Sequence, residues 1–223
     1  MNLKRSLTLT ETAAISACAA VLALLGYFGY RWVEPKIVEA RARALLPQIC
    51  TGIREQRAVL VSAIEAYKAG FGTYPPDVVV SRQPLVVDPV NNALAYELAG
   101  VVYDSTNKMF QLGPSEPAEA AYVTNFFHCL GFRNSAQSPA ELKHFLPADK
   151  LTVRLLHDDP DVLALGYEPT WGGLDANVLA LLEFSTWRYV ASVPTNNPGR
   201  FDLWIDIRVG GKKLVLGNWR AVE

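Results

Sequence analysis

The chain has 223 residues, half of them apolar and 19% charged, with a formal net charge of −1. That length holds one anchor and one ordinary domain. No Lys/Arg run stands out beyond the first residues, which argues against nucleic-acid binding, and three cysteines (Cys18, Cys50, Cys129) are too few and too odd for a disulfide scaffold.

Residues 12–30, TAAISACAAVLALLGYFGY, contain no charged side chain. As a helix rising ~1.5 Å per residue they cover about 28 Å, close to the hydrocarbon thickness of a bilayer. Arg31, Glu34 and Lys36 end the run, and Tyr27, Tyr30 and Trp32 sit where an interfacial aromatic belt would lie. Lys4 and Arg5 precede it, which puts the N-terminus in the cytoplasm and the rest of the chain outside. A cleaved secretory signal would need small residues after the apolar run; Arg31-Trp32-Val33-Glu34-Pro35 follows instead. Ile15-Ser16-Ala17-Cys18 has the look of a lipobox, but the most apolar part comes after Cys18, which reads as a packing residue. Glu11 stands at the mouth of the run. It either rests at the headgroup level or meets a positive charge in an assembly.

Residues 4–11, Lys-Arg-Ser-Leu-Thr-Leu-Thr-Glu, resemble the processing site of type IV pilins and type II secretion pseudopilins. The resemblance implies cleavage by a prepilin peptidase between Ser6 and Leu7. Thr8 and Leu9 match the family pattern, and Glu11 takes the place of the acidic residue that neutralises a neighbouring subunit's free amine during assembly. The chain departs from the pattern in having Ser6 for Gly, Leu7 for Phe and Thr10 for an aliphatic residue.

The helical pattern continues. Leu46, Ile53, Leu60 and Tyr67 are seven apart, Ile49, Ala63 and Ile64 fill the same face, and Arg43, Arg54, Glu55, Arg57, Glu65 and Lys68 supply polar faces. Glu39 and Arg43 have the favourable i,i+4 order. Pro35 and Pro47 should bend the helix, and Gly70-Phe71-Gly72 followed by Tyr74-Pro75-Pro76 should end it. Residues 63–76 resemble the end of the first helix in major pseudopilins.

Beyond residue 77 the patterning predicts a helix over 91–99, a hairpin over 101–112 around Asp104-Ser105-Thr106-Asn107, and a helix over 115–130 with Ser115 as N-cap. Ser138-Pro139-Ala140-Glu141 reads as a capping box before a short helix. Strands are expected over 151–156, 162–167, 187–192, 201–209 and 212–216, with Gly210-Gly211 as a two-residue hairpin turn. The expected fold is α+β: a long N-terminal helix, transmembrane then amphipathic, packed on a C-terminal antiparallel sheet. Residues 1–6 would be a basic leader, 7–33 the transmembrane segment, 34–76 the amphipathic continuation and 77–223 the exported head.

Trp187-Arg188-Tyr189, Gly199-Arg200-Phe201-Asp202-Leu203-Trp204 and Gly217-Asn218-Trp219 resemble the closing strands of major pseudopilins. The resemblance implies a filament subunit of the inner membrane, its head periplasmic. Its partners would be other copies, other pseudopilins, the assembly platform, prepilin peptidase and membrane lipid, with no enzymatic activity. Family members usually bind calcium before the last strand. Here residues 205–213 hold one carboxylate against three cations, too little anionic oxygen for a hard dication, so the calcium site should be absent and no cofactor is expected. The competing reading is a single-pass anchored binding module that does not polymerise.

His128, His144 and His157 lack metal-ligand spacing, and Asp158-Asp159-Pro160-Asp161 reads as a solvated turn. Cys50 and Cys129 could pair in an oxidising space; two buried free thiols are the favoured alternative. No hydrolase, nucleotide-binding or metalloprotease motif occurs.

Overall fold

A computed structural model describes residues 9–79, 86–156, 162–169, 176–209 and 211–219. In chain order the elements are α1 (Leu9–Phe71), β1 (Val78–Val79), β2 (Val86–Val87), α2 (Leu94–Ala99), β3 (Val101–Asp104), β4 (Met109–Gln111), β5 (Ala118–Glu119), α3 (Ala120–Phe126) and β6 (Ser135–Ala136). Then come β7 (Val153–Leu155), β8 (Leu163–Leu165), α4 (Ala176–Leu179), β9 (Leu182–Phe184), β10 (Arg188–Val190), β11 (Asp202–Val209) and β12 (Lys212–Gly217).

The 63 residues of α1 continue through Pro35 and Pro47, giving a length of about 95 Å. Gly72 closes it in the left-handed region at φ 80°, its N–H reaching the Lys68 carbonyl at 2.7 Å. The expected stripe is the core face: Ile49, Ile53, Leu60, Ala63, Ile64 and Tyr67 are all buried, while Leu46 sits half-buried at the margin, and Ala42 extends the buried face by a further turn.

Against this face lies the C-terminal sheet. β11 pairs antiparallel with β12 on one edge (Trp204↔Gly217 to Val209↔Lys212); Gly210, half of the expected two-residue turn, lies outside the described residues. Its other edge takes β10 (Arg188↔Trp204) and then β9 (Ile207↔Phe184), both antiparallel. Ser185 bridges the break between those two strands: its N–H donates to the Asp206 carbonyl and its Oγ accepts from the Asp206 N–H, each at 2.9 Å. Leu203, Ile205, Ile207 and Val209 recur every second residue along β11 and are buried, the period of a strand with one face on a core.

The region between helix and sheet adds its own layer. A four-stranded sheet runs β5-β4-β3-β6, in which β6 is parallel to β3. Small antiparallel pairs join β1 to β2 and β7 to β8. An aromatic cluster fills this part, with Tyr96 stacked on Phe132 at 4.7 Å between centroids and Phe110 and Phe127 edge-on or tilted against Phe132.

Three expectations need correction. Residues 115–130 are not one helix. Ala118–Glu119 pairs with β4, and only Ala120–Phe126 is helical, because strand pairing outcompetes the helix that Pro117 would have opened. Ser115 is therefore not its cap. The 91–99 helix starts at Leu94: Asp88 accepts from the N–H groups of Val90 and Asn91, folding that stretch as a turn. Ser138 does accept from the Ala140 N–H at 3.3 Å, but it starts a single 3-10 turn, Pro139–Glu141. The strand Leu182–Phe184 is not among the expected elements. Its short Leu-Glu-Phe run carries too little alternation to register as a strand alone.

Candidate functional site

Ser6, Leu7 and Thr8 lie outside the described residues. Glu11 falls on the α1 backbone, with its side chain outside them, as do most side chains of residues 12–30. His157 and residues 158–161 also lie outside. Among the described residues no helix is long and apolar enough to cross a membrane, and no group of three His, Cys, Asp or Glu could hold a metal ion.

The described part of the α1 N-terminal half is an apolar surface that its own chain leaves uncovered. Val21, Leu22, Leu24, Tyr27, Val33 and Ile37 are exposed, Leu22 by 68%. Burial on this helix begins at Val38 and Ala42. From Leu9 to Ile37 is about 43 Å of helix, longer than the hydrocarbon core of a bilayer.

The polar faces of α1 inside the head are tethers. Gln56 accepts from the Trp187 indole N–H at 2.9 Å and donates to the Gly166 carbonyl at 2.9 Å. Arg57 donates to the Gly217 carbonyl, and Glu65 pairs with Arg200. Tyr67 donates to Glu97 at 2.8 Å. Glu97 is 1% exposed, on an α2 whose six residues are all buried. It also accepts from the N–H groups of Arg133 (3.0 Å) and Asn134 (3.1 Å). Burial outweighs these donors and pushes the carboxyl above the usual range, and it pushes the Tyr67 phenol up as well. Sequence reasoning missed Glu97. The available signal was an acid inside Leu-Ala-Tyr-Glu-Leu-Ala, a run with no other polar residue except the Tyr hydroxyl.

The closing motif also has a structural cause. The buried Asp202 carboxylate accepts from the backbone N–H groups of Thr195, Asn196 and Asn197 and from both Asn side-chain amides, at 2.8 to 3.1 Å. Asn197 in turn donates to Asn218 Oδ1 at 2.9 Å, and that oxygen also takes the Leu203 N–H. The loop before β11 is thereby fastened to the end of β12, where Trp219 sets its ring edge-on to Trp204 at 5.6 Å.

Three concavities stand out among the described residues. A small cavity of about 30 Å³ is lined by Asp77, Asn91, Glu97 and Cys129, among others, with Asn91 Oδ1 buried beside it and unpartnered in the protein. A groove of about 340 Å³ runs between α1 (Gly52, Glu55, Gln56, Val59) and the segment carrying Asp149, Lys150, Thr152, Tyr167 and Glu168. A third, about 370 Å³, is lined by Leu46, Val209 and Leu214 together with Arg43, Lys212 and Lys213.

Cys50 and Cys129 are both free, the first buried and the second partly exposed. Burial raises both thiols above their ordinary pKa, which leaves less thiolate for chemistry. His144 Nδ1 lies 3.1 Å from the Ala99 carbonyl, and His128 sits in a left-handed turn at φ 49°.

No family model, no curated protein and no solved structure matches this chain.

Proposed function

We propose that this chain is a pilin-like filament subunit, of the type II secretion pseudopilus or type IV pilus-like kind, anchored by residues 7–33 in the inner membrane with residues 77–223 as a periplasmic head. The observation that carries this reading is the 63-residue α1, whose C-terminal half is the spine of the head and whose N-terminal half leaves large apolar side chains exposed. An apolar helix surface of this size requires lipid or other helices around it. In a filament the N-terminal halves bundle and the heads form the surface. Ser6 and Leu7 are then the processing point, Thr8 and Glu11 the assembly residues, and the chain acts mechanically, with no catalytic residues and no calcium.

Intact-mass measurement on protein from native membranes tests the reading. Loss of residues 1–6 supports it, and a retained leader counts heavily against polymerisation. A Glu11→Ala chain that assembles normally would remove the charge-neutralising role from Glu11.

The polar groove between α1 and residues 149–168 favours a second reading, an anchored binding module whose enlarged middle region holds a partner. Retained residues 1–6 together with a monomeric membrane form would select it.

A further inference from the structure

The head is electrically lopsided. β11 descends along α1 from the level of Glu65, which pairs with Arg200 just before the strand, to the level of Arg43 and Leu46, which share a groove with Val209, Lys212 and Lys213. The β11–β12 turn therefore lies at the end of the head nearest the apolar half of α1. Residues 31–43, 182–184 and 206–213, which share that end, together hold seven cations and four carboxylates, a net of +3. Among the described residues, the remainder over 44–181, 185–205 and 214–219 holds ten cations and twelve carboxylates, a net of −2.

The basic end is also amphipathic. Arg43, Lys213 and Arg208 keep 52%, 48% and 63% of their side chains exposed, and Lys212 is exposed. Arg43 is held by Glu39 at 2.6 Å, Lys213 by Asp206 at 2.9 Å, and Arg208 faces Glu183 at 3.7 Å. Asp206 is shared with Arg188 at 3.0 Å. One carboxylate thus serves two cations, and the positive excess persists. Leu46, Val209 and Leu214 line a groove of about 370 Å³ together with Arg43, Lys212 and Lys213. Three cations and three apolar side chains lining one groove suit an amphiphile with an anionic head.

We propose that the β11–β12 hairpin and Arg43 form a basic shelf that seats the head on anionic phospholipid headgroups of the bilayer holding α1. The inference rests on the membrane reading above. With the hydrocarbon ending near residue 33, Arg43 stands roughly 15 Å further along the helix. Headgroups occupy about 5–8 Å of that. The remainder is about one Debye length, within reach of extended Lys and Arg side chains. The remainder of the described head, net −2, gains nothing from the same surface, so the field orients the head as well as attracting it.

The test is hydrogen exchange on the full chain in phosphatidylcholine nanodiscs and in discs with about a third phosphatidylglycerol. Amides of residues 13–30 report the membrane reading and should be protected in both discs. Amides of residues 211–213 report the shelf. Phosphatidylglycerol should slow them roughly fivefold, the factor one lysine–headgroup contact is worth. About 0.5 M salt should erase the effect, as should Lys212→Gln combined with Lys213→Gln. Lys150→Gln, away from the shelf, should leave it unchanged. Protected residues 13–30 with lipid-independent exchange at the hairpin would overturn the shelf alone. Hairpin protection that rises with protein density rather than anionic lipid would assign the surface to a second copy and equally overturn it. Unprotected residues 13–30 would remove the membrane reading beneath both.

Discussion

The Tyr67 hydroxyl donates a 2.8 Å hydrogen bond to Glu97, a carboxylate 1% exposed. This contact joins the spine helix to α2 and, through the Arg133 and Asn134 N–H groups on the same carboxylate, to the loop leading into β6. Losing one donor leaves buried acceptor capacity unmet. Tyr67→Phe should cost about 1–3 kcal/mol, read as a lower urea midpoint with unchanged slope.

The same carboxyl makes stability depend on pH. Its folded pKa is raised above the ordinary value of 4.5, so in that window the folded state binds more protons than the unfolded one. The Glu97 contribution is full below about 4.5 and is lost as pH rises through the folded pKa. Unfolding free energies measured from pH 4 to pH 8 should fall more steeply for the native chain than for Glu97→Gln. Parallel curves would reject this assignment.

Asp202 holds five donors of the 195–197 loop. Asp202→Ala should destabilise the head by about 3 kcal/mol and speed amide exchange at residues 195–197. Exchange on α2 should change only through the global loss of stability.

Gly217 is confined by Trp219: a Cβ there would meet the indole ring at 2.7 Å. Gly217→Ala should cost about 1–3 kcal/mol by overpacking and alter Trp fluorescence by shifting Trp219 off Trp204. Its measure is a thermal melt followed by emission.

On the exposed part of α1, Leu22→Arg with Leu24→Arg should abolish membrane retention, since each buried cation costs about 2.5–3.5 kcal/mol. Carbonate extraction of membranes reads the outcome. A pellet that keeps the double variant would contradict the anchoring role given to this segment.

The sequence alone determined the elements that rest on local periodicity and turn chemistry. Ile49, Ile53, Leu60, Ile64 and Tyr67 share one face at helical spacing, and the structure buries them together. Gly72 ends the helix by entering the left-handed region, which a residue without a Cβ does at no steric cost. Alternation along residues 201–209 and 212–216 pointed to the closing pair of strands, whose register runs to Val209↔Lys212. The tertiary structure decided what depends on distant partners. Ala118–Glu119 became a strand because Met109 and Phe110 were there to pair with it. Glu97 could be buried because donors 30 and 37 residues away converge on it. The basic shelf exists because β11 descends along α1 and brings Lys212 and Lys213 beside Arg43. No spacing in the chain encodes those meetings, since they arise only when a long helix and a returning sheet bury their apolar faces against each other.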